Sequence, residues 1–102
     1  MGYTDVVTVS GDFEWDDVKA ASNIADHDVT FEEAALALHF DHDSIDNADF
    51  EYPDRTVSLA LNPLTGVLYV VSCEGDEQRT RIISARKAEP HEQRHYEKER
   101  RR

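Results

Sequence analysis

Arg55, Arg81, Arg86, Lys19 and His27 are the side chains here whose chemistry suits handling of a phosphate group. A guanidinium forms two parallel charge-assisted hydrogen bonds to phosphate and keeps its charge at any working pH, which suits charge stabilisation and makes it a poor proton donor. An imidazole is the side chain best suited to acid or base work near neutral pH, so His27 is the candidate for proton transfer. Lys19 is the single base among residues 1–54, which hold fifteen acids. Asp54 and Glu51, next to Arg55, are carboxylates that could serve as a base. Each residue has a competing structural use: ion pairing or anchoring of a C-terminal helix for the arginines, capping or core hydrogen bonding for His27. No Gly-rich phosphate loop and no RNA-recognition-domain pattern is present.

The elements that must position these groups follow from periodicity. Asp5 to Val9 reads as a short strand, Gly11-Asp12 as a turn, and Phe13-Glu14-Trp15 as a second short strand with Phe13 and Trp15 on its core side. Trp15 is expected in the core rather than as a base-stacking platform. Asp16 suits the N-cap of a helix running to about Asp26, with Ala20, Ile24 and His27 on one face. Thr30 and Glu33 have capping-box spacing ahead of a helix from Phe31 to about His39, with Val29 and Ala34 flanking it. Asp41 to Asp54 reads as an acidic connector with one extended piece near Ala48-Phe50. From Arg55 the period becomes two, predicting strands Arg55–Leu61, Val67–Cys73 and Gln78–Ala85 in an antiparallel meander. Pro90 can open a last helix reaching about Arg101. An ideal third strand places Arg79 and Arg81 on one side and Arg86 on the other, unless a bulge or the strand end rotates Arg86.

The 102 residues fit one domain with a single modest core, and the net charge of −11 is unevenly spread. Residues 1–54 carry a net of −14 and residues 55–102 a net of +3. A uniformly acidic protein repels nucleic acid at long range, but strands of the second part can still gather Arg55, Arg79, Arg81 and Arg86 into a basic patch. The bland alternative is that the acids form a solvated surface that the arginines neutralise. No apolar run is long enough to span a bilayer and Met1 to Val9 lacks signal-peptide features, which predicts a cytoplasmic protein with no membrane contact. The lone Cys73 cannot form an internal disulfide and is expected to be a buried small hydrophobe. His39 and His42 lie close together without the cysteines or the His-Glu-x-x-His pattern of a metal site.

Two blocks of residues carry a resemblance. The first comprises Phe13, Trp15, Asp16, Lys19, Asn23, His27, Val29, Phe31, Glu33 and Ala34; the second runs from Arg79 through Arg81-Ile82-Ile83-Ser84-Ala85-Arg86-Lys87-Ala88 to Glu92 and Tyr96. In this order and spacing, over about residues 13–96, the chain resembles the BrnT family of ribonuclease toxins from type II toxin–antitoxin pairs. It departs from the family pattern at Asp26, where lysine is usual, at Asp28, where glycine is usual, and in the central motif, of which Arg55 is retained. The resemblance implies an α+β fold of the RelE-like ribonuclease-toxin type, with a small twisted antiparallel sheet, two N-terminal helices and a C-terminal helix. It also implies endoribonuclease activity that inhibits translation without metal or cofactor. Arg81, Arg86 and Arg55 would contact substrate phosphates, and His27 and Lys19 would assist. The implied partner is a BrnA-like antitoxin, through which alone the protein would meet DNA, in a dimer or heterotetramer. Rival readings are a catalytically inactive relative kept for interaction or regulation, and a structural subunit unrelated to nucleic acid. They are separated by whether the arginines converge around a phosphate-sized space.

Overall fold

A computed structural model describes residues 6–40, 42–45 and 52–100. Strands Val7–Ser10 (β1) and Phe13–Asp16 (β2) pair as an antiparallel hairpin, turning at Gly11, whose φ of 58° favours glycine. Helix Asp17–His27 (α1) follows directly. The Asp16 carboxylate accepts the Val18 and Lys19 amides, the N-cap that the sequence predicts. Asp28 ends the helix in the left-handed region, φ 56°, and its amide donates to the Ile24 carbonyl. The expected capping box opens helix Phe31–Phe40 (α2): Thr30 Oγ1 accepts the Glu33 amide and Glu33 Oε1 accepts the Thr30 amide.

The sheet is larger than a three-stranded meander and is mixed. Strands His42–Ile45 (β3), Thr56–Asn62 (β4), Gly66–Glu74 (β5) and Thr80–Lys87 (β6) complete the order β1-β2-β6-β5-β4-β3. All neighbours are antiparallel except β2 and β6, which run parallel through Phe13↔Thr80 and Glu14↔Arg81. β3 lies inside the stretch expected as a connector, because an edge strand is held by backbone pairing to β4 and needs little apolar alternation. The extended piece expected near Ala48-Phe50 lies outside the described residues.

Helices α1 and α2 cover one sheet face. Ala60, Leu68, Val70, Ile82 and Ala85 pack there against Trp15, Val29, Phe31, Ala34, Ala37 and Leu38. Trp15 is buried and meets Phe31 edge-on, so its ring belongs to the core, as expected. The other face carries a smaller cluster of Leu59, Ala88 and Tyr96 flanked by Ile45, Val67 and Tyr69, closed by helix Pro90–Arg100 (α3). The sheet thus has helices on both sides. The stripe expected on α1 is displaced: Ile24 and His27 are exposed and Asn23 is buried. Asn23 Nδ2 donates to the Ala85 and Val29 carbonyls, and its Oδ1 accepts the Ala85 amide. Its amide group therefore stands in for a strand partner along the open side of β6, which an isoleucine cannot do.

Candidate active site

The site begins with an irregularity in β6. Val71 pairs with Ser84 but its successor Ser72 pairs with Ile82, so one extra residue is inserted around Ile83. Two observations fix the consequence. Ile82 and Ala85, three positions apart, both enter the core beneath α1 and α2. Arg81 and Arg86, one position outside each of them, therefore both project from the opposite face, and their β5 partners Cys73 and Tyr69 lie four residues, about 13 Å, apart at the usual rise per residue. The bulge that an ideal strand lacks brings the two leading candidates to one side.

At the β2 end of that face sits Glu14, fully buried between its core-facing neighbours Phe13 and Trp15. Its Oε2 accepts Arg81 Nε at 2.7 Å, and its Oε1 accepts Arg79 Nε and the Asp76 amide, each at 3.1 Å. Arg81 Nη2 makes a further contact to Oε2. Burial alone would push this carboxyl up, but the hydrogen bonds from Arg81, Arg79 and Asp76 outweigh it and hold the group below the usual carboxylate value. The same bonds raise both guanidinium values further above their already high ordinary level.

At the other end of β6, Arg86 lies 4.0 Å over the Tyr69 ring and is gripped from α3. Its Nη1 and Nη2 donate to Glu92 Oε1 at 2.9 Å and Oε2 at 3.0 Å, a two-point fork that fixes the guanidinium plane. Glu92 also accepts the Glu89 amide, which closes the first turn of α3. Burial raises the Glu92 carboxyl, yet Arg86 and that amide bring it below the ordinary value.

The remaining candidates lie elsewhere. Arg55 precedes β4, stacks 4.0 Å over Tyr52, and is two strands removed from β6. Lys19 and His27 are exposed on α1 and line a shallow groove of about 310 Å³ with Ser22, Asp26, Ile83 and Ser84. That groove touches β6 at the bulge, midway between Arg81 and Arg86. Asp54 is exposed in the turn before β4, while Glu51 lies outside the described residues. Cys73, expected to be buried, is half-exposed beside Arg81. Among the described residues no group of three or more His, Cys, Asp or Glu side chains is placed to hold a metal ion.

The structure thus places Arg81 and Arg86 on one face, sets Lys19 and His27 in a separate groove between α1 and β6, and leaves Arg55 apart. The arginines do not converge on one empty space; each is held by its own carboxylate. Reading the sequence as a list of cations missed those carboxylates, Glu14 and Glu92. For Glu14 a signal was available: a residue between two core-facing aromatics in a strand must point to the other side of the sheet.

Residues 15–92 match the family model described as ribonuclease toxin, BrnT, of type II toxin–antitoxin system. No curated protein gives a significant match. The matched span begins one residue after Glu14, contains Trp15, the Asn23 bridge, the β6 bulge and the Arg86–Glu92 fork, and covers most of the chain. The chain belongs to the BrnT family, the ribonuclease toxins of type II toxin–antitoxin systems.

Proposed function

We propose that the outer face of β6 is the RNA-binding surface of a metal-independent endoribonuclease, with Arg81 and Arg86 as its phosphate contacts. The observation that carries this reading is the shared face created by the bulge. Both guanidiniums are locked by a carboxylate, and each side chain remains about one-third exposed at 31% and 30%. Groups held rigid before substrate arrives lose little freedom on binding and need no reorganisation as charge develops.

In this mechanism the RNA 2′-hydroxyl oxygen attacks its own 3′ phosphorus and the bond from phosphorus to the 5′ oxygen breaks. One proton leaves the 2′ oxygen for a base, and one is delivered to the departing 5′ oxygen. The products are a 2′,3′-cyclic phosphate and a free 5′-hydroxyl. Arg81 and Arg86 stabilise the charge that grows on the non-bridging oxygens, with Arg55 as a more distant phosphate contact. His27 is the group for proton transfer and Lys19 its cationic neighbour, since their groove meets β6 between the two arginines. Such cleavage inhibits translation in the cytoplasm. The antitoxin partner is of the BrnA type, covers this face, and connects the toxin to DNA only indirectly, in a dimer or heterotetramer.

Two observations favour a second reading, an inactive relative retained for interaction. The Arg86 fork is fully turned toward Glu92, and Asp26 lines the groove beside Lys19 and His27, where a phosphate would be repelled. Incubating the purified, partner-free protein with labelled RNA in EDTA separates the two. Cleavage that disappears in the Arg81→Ala/Arg86→Ala double variant supports the enzyme; intact RNA with the folded native protein leaves the interaction module.

A further inference from the structure

Arg79 was not among the leading site candidates, yet its geometry gives it a specific task. Arg79 and Arg81 bond opposite oxygens of one carboxylate, so the two guanidiniums lie side by side at the β2 end of the outer face. Their inner nitrogens are committed. Arg81 uses Nε and Nη2 on Glu14; Arg79 uses Nε on Glu14 and Nη1 on Glu77. Among the described residues no hydrogen bond or ion pair engages Arg81 Nη1 or Arg79 Nη2, so each guanidinium keeps one uncommitted donor group.

The surroundings keep this arrangement rigid. Glu14 has no exposed surface and cannot turn away. The turn joining β5 to β6 passes through two non-glycine residues in the left-handed region, Glu77 at φ 52° and Gln78 at φ 65°, and thereby aims both the Asp76 amide and Arg79 at Glu14. Gly75 lets the carboxylate in, since a Cβ there would stand 2.7 Å from Glu14 Cδ. Two cations share one buried anion, so a positive charge remains over. Glu77 offsets it at Arg79 and the Asp76 carboxylate acts on Arg81, but the Glu77 side chain is 82% exposed and an exposed pair of this kind is weakly held.

We propose that Arg79 and Arg81 form one phosphate clamp, in which Arg79 is a substrate-binding residue and Glu14 a positioning residue. The proposal rests on the ribonuclease reading and adds to it a second cation at the Arg81 subsite. A single phosphate bridging two guanidiniums is held more specifically than by one, because each contributes donors from a fixed direction.

The test measures binding of a labelled RNA carrying 2′-deoxy linkages, which cannot be cleaved by 2′-hydroxyl attack, against salt concentration. The proteins are the native chain, Arg79→Ala, Arg79→Lys and Glu77→Gln, each checked for folding by thermal melting. Loss of one phosphate contact should reduce the slope of log K against log salt by about 0.7 for a single strand. The expected result is that reduction in Arg79→Ala, a retained slope with weaker binding in Arg79→Lys, and tighter binding in Glu77→Gln. An unchanged slope and affinity in folded Arg79→Ala overturns the clamp. Should the native protein neither bind nor cleave RNA, the ribonuclease reading itself fails. The clamp is then decided by titrating inorganic phosphate while observing the arginine Nε–H resonances: joint movement of the Arg79 and Arg81 signals sustains it, and no movement of either refutes it.

Discussion

Glu14 and Arg81 face each other across the sheet's single parallel strand pair, and the carboxylate that Arg81 grips is fully buried. A buried charge is tolerable only with its partners in place, so removing one side leaves the other uncompensated. Glu14→Ala would remove the anion shared by Arg79, Arg81 and the Asp76 amide; because the guanidiniums are partly exposed and can be re-solvated, the loss should be about 1–3 kcal/mol, seen in chemical denaturation as a lower midpoint with an unchanged slope. Arg81→Ala should cost less, because Arg79 and the Asp76 amide still satisfy the carboxylate. Equal losses in the two variants would contradict this asymmetry.

Acid should weaken the fold through the same carboxylates. Glu14 and Glu92 both have folded values below the ordinary one, so the unfolded chain takes up protons first as pH falls. Their contribution is complete above the ordinary carboxylate value, about 4.3 for a glutamate, and is lost as pH drops through the lower folded values. Melting temperature should therefore decline below about pH 4.3. In Glu14→Gln and Glu92→Gln that decline should be shallower. A pH dependence identical to the native one in both variants would remove these residues as its cause.

Gly75 is the other side of the Glu14 site. Gly75→Ala forces a methyl against a carboxylate pinned by three donors, an overpacking that typically costs about 1–3 kcal/mol. Combining it with Glu14→Asp, which shortens the side chain, should recover part of the loss; a strictly additive double variant would show that the two positions do not meet.

The sequence displayed the helices and the strands that bear the arginines because capping and alternation are local signals, as at Asp16, Thr30 and Glu33. It also posed the right question about Arg81 and Arg86, whose parity forbids a shared face in an ideal strand. Its answer lay in pairing between β5 and β6, which no local pattern encodes. The ion-pair partners were hidden for a related reason. Glu14 lies 67 positions from Arg81, and only the parallel pairing of β2 with β6 brings them together. β3 escaped notice because its residues, His-Asp-Ser-Ile, alternate too weakly to distinguish an edge strand from a loop.

Asn23 illustrates a polar residue that outcompetes an apolar one for burial. Its side chain satisfies both backbone groups of Ala85 and the Val29 carbonyl. Asn23→Ala leaves these unpaired, at about 1–3 kcal/mol for each buried group that water cannot reach. Asn23→Asp keeps the acceptor for the Ala85 amide but sets a carboxylate against two carbonyls, and should be no better. Amide exchange at Ala85 should accelerate in Asn23→Ala, where the acceptor is lost, and less in Asn23→Asp, whereas a global loss of stability alone would spread evenly over β6.

Asp28 offers a test in the opposite direction. It occupies a left-handed helix end, φ 56°, where a side chain is disfavoured and glycine is not. Asp28→Gly removes that strain but gives the unfolded chain more freedom, so the net gain should be at most about 1 kcal/mol. Asp26→Lys acts on the groove rather than the fold. It replaces an anion beside Lys19 and His27 by a cation, reversing two units of charge where RNA would approach. RNA binding should tighten at low salt and the advantage should shrink as salt rises, since exposed charges are screened within about 10 Å at 0.1 M. Measured across a salt series, a gain independent of ionic strength would point to a change in structure, and no gain at all would remove the α1 groove from the RNA path and leave the outer face of β6 as its whole extent.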